Sequence, residues 1–270
     1  MDLGFAGLIG AVTLDRERVE SFKSYPFSVP AVRGLDELAL DPYVTFLVGE
    51  NGSGKSTLIE AIAVAAGFNA EGGTRNFDFE TKASHSELHQ FVRVERGWRK
   101  VRDGFFLRAE SFYNVATQVD ELGVTEFYGG RSLHACSHGE AFLALVQHRF
   151  GPDGLYVLDE PESALSPTRQ LSLLAAMDGL VRQGSQFVVA THSPILLAYP
   201  HATIYELSSA GIRRVAYEET EHFQLTRDFL VDREQFLKHL VEPDPPGKPA
   251  RGGESGKKKK KKRGAARDAW

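Results

Sequence analysis

Gly49-Glu50-Asn51-Gly52-Ser53-Gly54-Lys55-Ser56 has the spacing G-x-x-x-x-G-K-[ST], which is the spacing of a phosphate-holding loop. Its glycines let consecutive backbone N–H groups turn toward one anion without Cβ interference. Lys55 brings a point charge to the β and γ oxygens of a bound polyphosphate, and the Ser56 hydroxyl suits Mg²⁺. Thr57 follows in the first turn of the expected helix, so Glu50 through Thr57 form the candidate nucleotide-binding stretch. A second chemical group ends the apolar run Leu155-Tyr156-Val157-Leu158: Asp159 as a Mg²⁺-shell ligand and Glu160 as general base for an attacking water. A third ends Phe187-Val188-Val189-Ala190, where the imidazole of His192 is suited to touch a γ-phosphate and orient the water. The fourth, Ser137-His138-Gly139-Glu140, offers a serine hydroxyl and helix N-terminal amides to an anion, with Ser137 and Gly139 as the candidate binding residues. Its plain alternative is a helix N-cap.

Such residues need strands to carry them and helices to close over them. The spacing predicts a buried strand over 43–48 and an apolar helix over 57–66 closed by Gly67. It also predicts a strand at 105–107, a helix after Gly139 and a strand at 155–158. A helix over 169–181, a strand at 187–190 and weaker strands near 203–206 and 212–217 complete the pattern, with an extended stretch over 18–28 before it. Strands alternating with helices imply a largely parallel sheet covered on both faces. Glu110 is a candidate metal or water contact after the 105–107 strand, with an exposed helix-start carboxylate as its alternative. Tyr25 and Phe27 are placed in core packing rather than against a base. Glu218-Glu219-Thr220-Glu221-His222 reads as a helix start capped by Thr220 rather than as a metal site.

The chain has 270 residues, 42% hydrophobic and 25% charged, which suits one large α/β domain. No stretch approaches the roughly 18 apolar residues of a membrane span. A secretory leader is not expected, since Asp2 precedes the short apolar start and no basic residue does. A single cysteine, Cys136, excludes an intramolecular disulfide and a cysteine metal cage, and fits a cytoplasmic location. Charge is uneven: residues 248–270 carry ten Lys/Arg and two Asp/Glu, leaving 22 basic and 34 acidic residues in the body. An acidic body argues against a broad nucleic-acid groove on it. The Pro-, Gly- and Lys-rich segment 243–270 is expected to be a disordered tail, with the Lys257–Arg263 run simply solvated, and 1–17 to be a separate extension of the domain at 18–242.

Together these motifs resemble the heads of ABC-class ATPases. Ser137 and Gly139 stand where the signature Leu-Ser-Gly-Gly-Gln has its serine and a glycine; Cys136, His138 and Glu140 depart from it. Glu162-Ser163-Ala164-Leu165-Ser166 is similar to the D-loop, with Ser166 in place of aspartate, and Thr191-His192-Ser193-Pro194 to the switch-histidine loop. The stretches GENGSGKSTLIEAIA, GFFLRAESFYN, SHGE, GLYVLDEPESALSP, THSPILLAYP and YEETEH resemble a family of small stand-alone bacterial ATPases, described as AAA-family or ABC-like, over about residues 25–229. The resemblance implies an α/β P-loop NTPase with an ABC-type head: a largely parallel central sheet flanked by helices, plus a small N-terminal antiparallel β portion. It further implies binding of ATP with Mg²⁺, hydrolysis using Glu160, His192 and Lys55, metal ligation by Ser56 and Asp159, and an ATP-dependent homodimer. In that dimer Ser137 of one chain faces Lys55 of the other, and the switch acts on an unidentified protein or nucleic-acid partner. Two other readings stay open, the ATP-binding subunit of a membrane transporter and a nucleic-acid-associated ATPase. The 82 residues from Lys55 to Ser137 leave no room for a long coiled coil.

Overall fold

The computed structural model describes residues 7–74, 86–109 and 112–241. In chain order its strands are β1 (Ile9–Leu14), β2 (Glu37–Ala39), β3 (Val44–Gly49), β4 (Val92–Arg96), β5 (Asp103–Arg108), β6 (Gly154–Asp159), β7 (Gln186–Ala190), β8 (Thr203–Ser208) and β9 (Gly211–Val215). The helices are α1 (Pro30–Arg33), α2 (Lys55–Ala65), α3 (Phe112–Glu121), α4 (His138–Arg149), α5 (Pro167–Arg182), α6 (Pro194–Leu197), α7 (Glu221–Val231) and α8 (Arg233–Leu240). The chain divides into two compact units, one ending at Thr226 and the other starting at Arg227. The second unit's described residues hold the end of α7 and α8, with Phe229 and Phe236 meeting edge to face at 5.8 Å.

The first unit is an α/β fold. Its main sheet has the order β5-β6-β7-β3-β8-β9, parallel throughout except for β9, which returns antiparallel beside β8. All six residues of β3 and of β6 are buried, as expected of strands covered on both faces. Alternation then sends successive side chains to two cores. Val44, Phe46 and Val48 pack with residues of α3, α4 and α5, while Leu47 joins α2 and the small sheet. That small sheet, β2-β1-β4, is antiparallel.

The expected strands and helices of the main sheet are present, with no boundary shifted by more than two residues. Three findings differ from expectation. The stretch 18–28 is not extended: after a 3-10 turn at Arg16–Arg18 it runs through turns. The strand lies earlier, as β1, inside the 1–17 segment that the sequence set apart, and it is the central strand of the small sheet. Phe27 does pack in the core, with its ring 4.9 Å from Phe91, but Tyr25 is 64% exposed. Glu110 and the tail from 243 lie outside the described residues.

Candidate functional site

Three of the four chemical groups sit at the carboxyl end of a parallel strand, where sheets of this kind meet their ligands. Leu47 of β3 and Asp159 of β6 both pair with Ala190 of β7, so the three strand ends finish side by side. The Glu160 N–H donates to the Ala190 carbonyl at 2.9 Å, and the Thr191 N–H to Leu47 at 3.2 Å. The loops after β3, β6 and β7 therefore share one ledge.

On that ledge the phosphate loop bends tightly. Gly49, at φ 148°, leaves no space for a side chain, since a Cβ would meet the Leu207 carbonyl at 2.2 Å. Gly54, at φ 101°, is left-handed, and a Cβ there would meet the Val29 side chain at 2.4 Å. α2 starts at Lys55, so its N-terminal amides point into the loop. The Lys55 ammonium is buried and donates to the carbonyls of Gly49 at 2.8 Å and Glu50 at 3.0 Å. Burial lowers its pKa, and Glu160, Asp159 and Glu162 work against that shift. Beside the loop lies a cavity of about 400 Å³, walled by Gly49 through Ser53 on one side and Glu206 through Ser209 on the other.

Ser56 donates its hydroxyl to Asp159 Oδ1 at 3.3 Å, joining the α2 start to the β6 end. A hydroxyl and a carboxylate side by side form a hard-oxygen donor set of the kind Mg²⁺ takes when phosphates and water complete its shell. Among the described residues no group of three or more His, Cys, Asp or Glu side chains could hold a metal. The pair therefore fits Mg²⁺ held jointly with a polyphosphate, and not an all-protein cage.

Glu160 follows with φ 51°, a left-handed conformation that a non-glycine residue adopts at a cost of order 1 kcal/mol or more. The twist turns its carboxylate out of the strand, 3.5 Å from His192 Nε2. Pro161 opens a 3-10 turn immediately afterwards. The His192 loop is fixed by its own cap: Ser193 accepts from the N–H groups of Ile195 and Leu196, and its hydroxyl donates to Gln170. Glu162, which the sequence reading left without a role, accepts the His192 backbone N–H at 2.5 Å. Its signal was only its place next to Asp159-Glu160. Burial raises the Glu162 carboxyl pKa and lowers that of His192, where Lys55 adds to the shift.

Ser137 and Gly139 are placed elsewhere. Ser137 is the N-cap of α4, and its N–H and hydroxyl both donate to Glu140 Oε2, at 3.1 and 2.8 Å. Arg169, at the start of α5, donates to the Ser137 hydroxyl at 3.2 Å and to Glu140 Oε1 at 3.1 Å. A Cβ at Gly139 would meet Arg169 at 2.5 Å and the Ala164 carbonyl at 2.8 Å, so glycine is required by this packing. The side-chain hydrogen bonds of Ser137 thus run to Glu140 and Arg169, whereas Lys55, Ser56, Asp159, Glu160 and His192 gather at the strand ends.

Two family models match the chain: an AAA domain over residues 18–116, and an AAA domain whose description adds the AbiEii toxin of a Type IV TA system over residues 138–198. A Haloferax volcanii protein named "Probable anion import ATP-binding protein" is 28% identical over 186 residues, 57% of this chain and 64% of the relative. ABC transporter G family member 21 of Arabidopsis thaliana is 24% identical over 221 residues, 69% of this chain and 33% of the relative. The match thus spans less than two thirds of either relative. Among solved structures, a nucleotide-free ATP-binding cassette from an ABC transporter has a TM-score of 0.46 at 17% identity, covering 88% of this chain and 100% of that one. The SMC head domain from Thermotoga maritima has a TM-score of 0.42 at 17% identity, covering 77% and 98%. Phosphate loop, parallel sheet and the two domain matches define a P-loop nucleotide-binding protein. More narrowly, the two domain matches and the Haloferax relative make the chain similar to ABC-like and AAA-type ATPases. Among the described residues no helix is long and apolar enough to cross a membrane.

Proposed function

We propose that the protein binds and hydrolyses ATP as a dimerising cytoplasmic switch. The observation that carries this is the meeting of Lys55, Ser56, Asp159, Glu160 and His192 at three adjoining strand ends. In this reading the loop amides, Lys55 and the α2 N-terminus receive the β- and γ-phosphates, and Glu50 through Thr57 follow their outline. Ser56 and Asp159 hold Mg²⁺, which when bound offsets negative charge on the phosphate oxygens. Glu160 accepts a proton from a water as its oxygen bonds to the γ-phosphorus and the bond to the β–γ bridging oxygen breaks. His192 orients that water and touches the γ-phosphate. Segment 243–270 is a tail outside the ATPase domain.

Ser137 and Gly139 receive the γ-phosphate of a second copy's nucleotide around a two-fold axis. For that, Ser137 must exchange its bond to Glu140 for one to phosphate. Closure then completes charge stabilisation and excludes water. The test is the light-scattering mass of Glu160→Gln with and without Mg-ATP. A doubled mass with ATP supports the sandwich dimer; a monomer with ATP demonstrably bound overturns the trans role of Ser137. The Haloferax relative favours a second reading, in which the chain is the ATP-binding subunit of a membrane transporter. The nucleic-acid-associated reading rests on the Lys257–Arg263 run, and DNA binding that persists in a truncation at Pro243 would remove that support.

A further inference from the structure

The site as described leaves one of its neighbours without a task. His222 is the second residue of α7, 30 positions after His192, yet its Nε2 lies 2.9 Å from His192 Nδ1. The rings are 5.0 Å apart at 58°, so they meet edge to edge rather than stack. Two imidazole nitrogens at this distance share one proton, with one ring donating and the other accepting. The opposite edge of His192 decides the direction. There Nε2 is shielded from solvent and stands 3.5 Å from the Glu160 carboxylate. A carboxylate repels a lone pair and attracts an N–H, so the proton belongs on Nε2. His192 Nδ1 then carries the lone pair, and His222 must be the donor.

The segment holding His222 is itself anchored. Thr220 is fully buried; its hydroxyl donates to the Tyr217 carbonyl at 2.7 Å and accepts from the Phe223 N–H at 3.4 Å. Tyr217 donates its hydroxyl to the Pro194 carbonyl at 2.9 Å, joining this segment to the loop that bears His192. Burial lowers the pKa of both rings, which suits a neutral pair passing one N–H between them.

We propose that His222 is a positioning residue that holds His192 in its Nε2-protonated tautomer, so that a donor faces Glu160 and the γ-phosphate. This rests on the reading of His192 as the γ-phosphate contact. A donor there is attracted by both the carboxylate and the phosphate oxygens, whereas a lone pair would be repelled by both. The role parallels that of outer partners which fix the tautomer of a functional histidine.

The test uses the full chain labelled with ¹⁵N and a ring ¹H–¹⁵N correlation spectrum, with His192 assigned by its loss in His192→Gln. The wild type should show His192 neutral and protonated at Nε2. His222→Phe should give a mixed or reversed tautomer, while His222→Gln, whose amide N–H₂ reaches the same place, should keep the wild-type one. In parallel, kcat should fall about 10–100-fold in His222→Phe with the KM for ATP little changed, and recover largely in His222→Gln. An unchanged single tautomer in His222→Phe, or a Gln variant as impaired as Phe, overturns the proposal. Should His222→Phe not fold, His222→Asn takes its place, its shorter amide stopping short of His192. A wild type that binds ATP without turnover would overturn the hydrolysis reading alone, and the spectrum would still decide His222.

Discussion

Gln186→Leu should destabilise the fold by about 4 kcal/mol while keeping its volume nearly constant. Gln186 opens β7, is fully buried, and makes four hydrogen bonds from one amide. Its Oε1 accepts the N–H groups of Leu8 at 2.8 Å and Ile9 at 2.9 Å, and its Nε2 donates to the carbonyls of Ile9 at 2.9 Å and Asp41 at 2.7 Å. The main sheet is thereby tied to the start of β1. Leucine leaves two N–H groups on residues that are 1% and 2% exposed, where water does not replace the lost partner. Each such group costs about 1–3 kcal/mol, and the carbonyls, with a second lone pair and a half-buried setting at Asp41, add less. About 4 kcal/mol is a large share of a typical 5–15 kcal/mol total. In urea, at a slope of about 2–3 kcal/mol per molar, the midpoint should fall by about 1.5 M. A shift under about 0.3 M would refute the claim that residues 8–9 are held to the main sheet by this amide.

Lys55→Ala should reduce ATP affinity at least 100-fold, seen in a fluorescent-nucleotide titration, with little loss of stability; unchanged affinity would remove the phosphate-loop assignment. Glu160→Gln should bind Mg-ATP and release phosphate about 100–10,000-fold more slowly in a coupled assay, since only the proton acceptor is lost. Stability should also fall as pH drops below about 6.5 through the depressed folded-state values of His192 and His222, because the unfolded chain takes up protons there before the folded one does. Urea midpoints at pH 7.5 and 5.5 should therefore differ less in His222→Gln than in the wild type.

The candidate nucleotide site was legible because the chemistry it suits dictates spacing. A loop that aims several amides at one anion needs glycines at fixed offsets, and Gly54 with its left-handed φ meets that need whatever surrounds it. The main-sheet strands were legible for a related reason, since strands buried on both faces read as unbroken apolar runs such as VTFLVG and GLYVLD. The small antiparallel sheet was expected from the family resemblance, but its individual strands were not legible. Its β2 is three residues long, too short to show a period, and β1 begins IGAV, with small residues where a turn and a strand look alike. β4 did carry a signal, Val92 and Val94 alternating with Arg93 and Glu95.

What the sequence could not express is proximity between loops, and the histidine pair shows why. His192 and His222 are separated by α6 and the β8–β9 hairpin, and neither residue's neighbours say where that hairpin returns the chain. The buried Thr220 and the Tyr217–Pro194 bond anchor the segment that sets the second ring against the first. The same holds for Ser137. As a sequence, Ser-His-Gly-Glu could be a phosphate contact or a helix cap; in the fold it is a cap whose serine is already bonded to Glu140 and Arg169. Those readings are compatible if the cap is the resting state. Glu140 is then the anion that a second copy's γ-phosphate must displace at the α4 N-terminus, and Arg169 the cation left to greet it. Removing the competitor with Glu140→Gln should accordingly strengthen ATP-driven dimerisation of Glu160→Gln rather than weaken it, a sign that a purely structural cap would reverse.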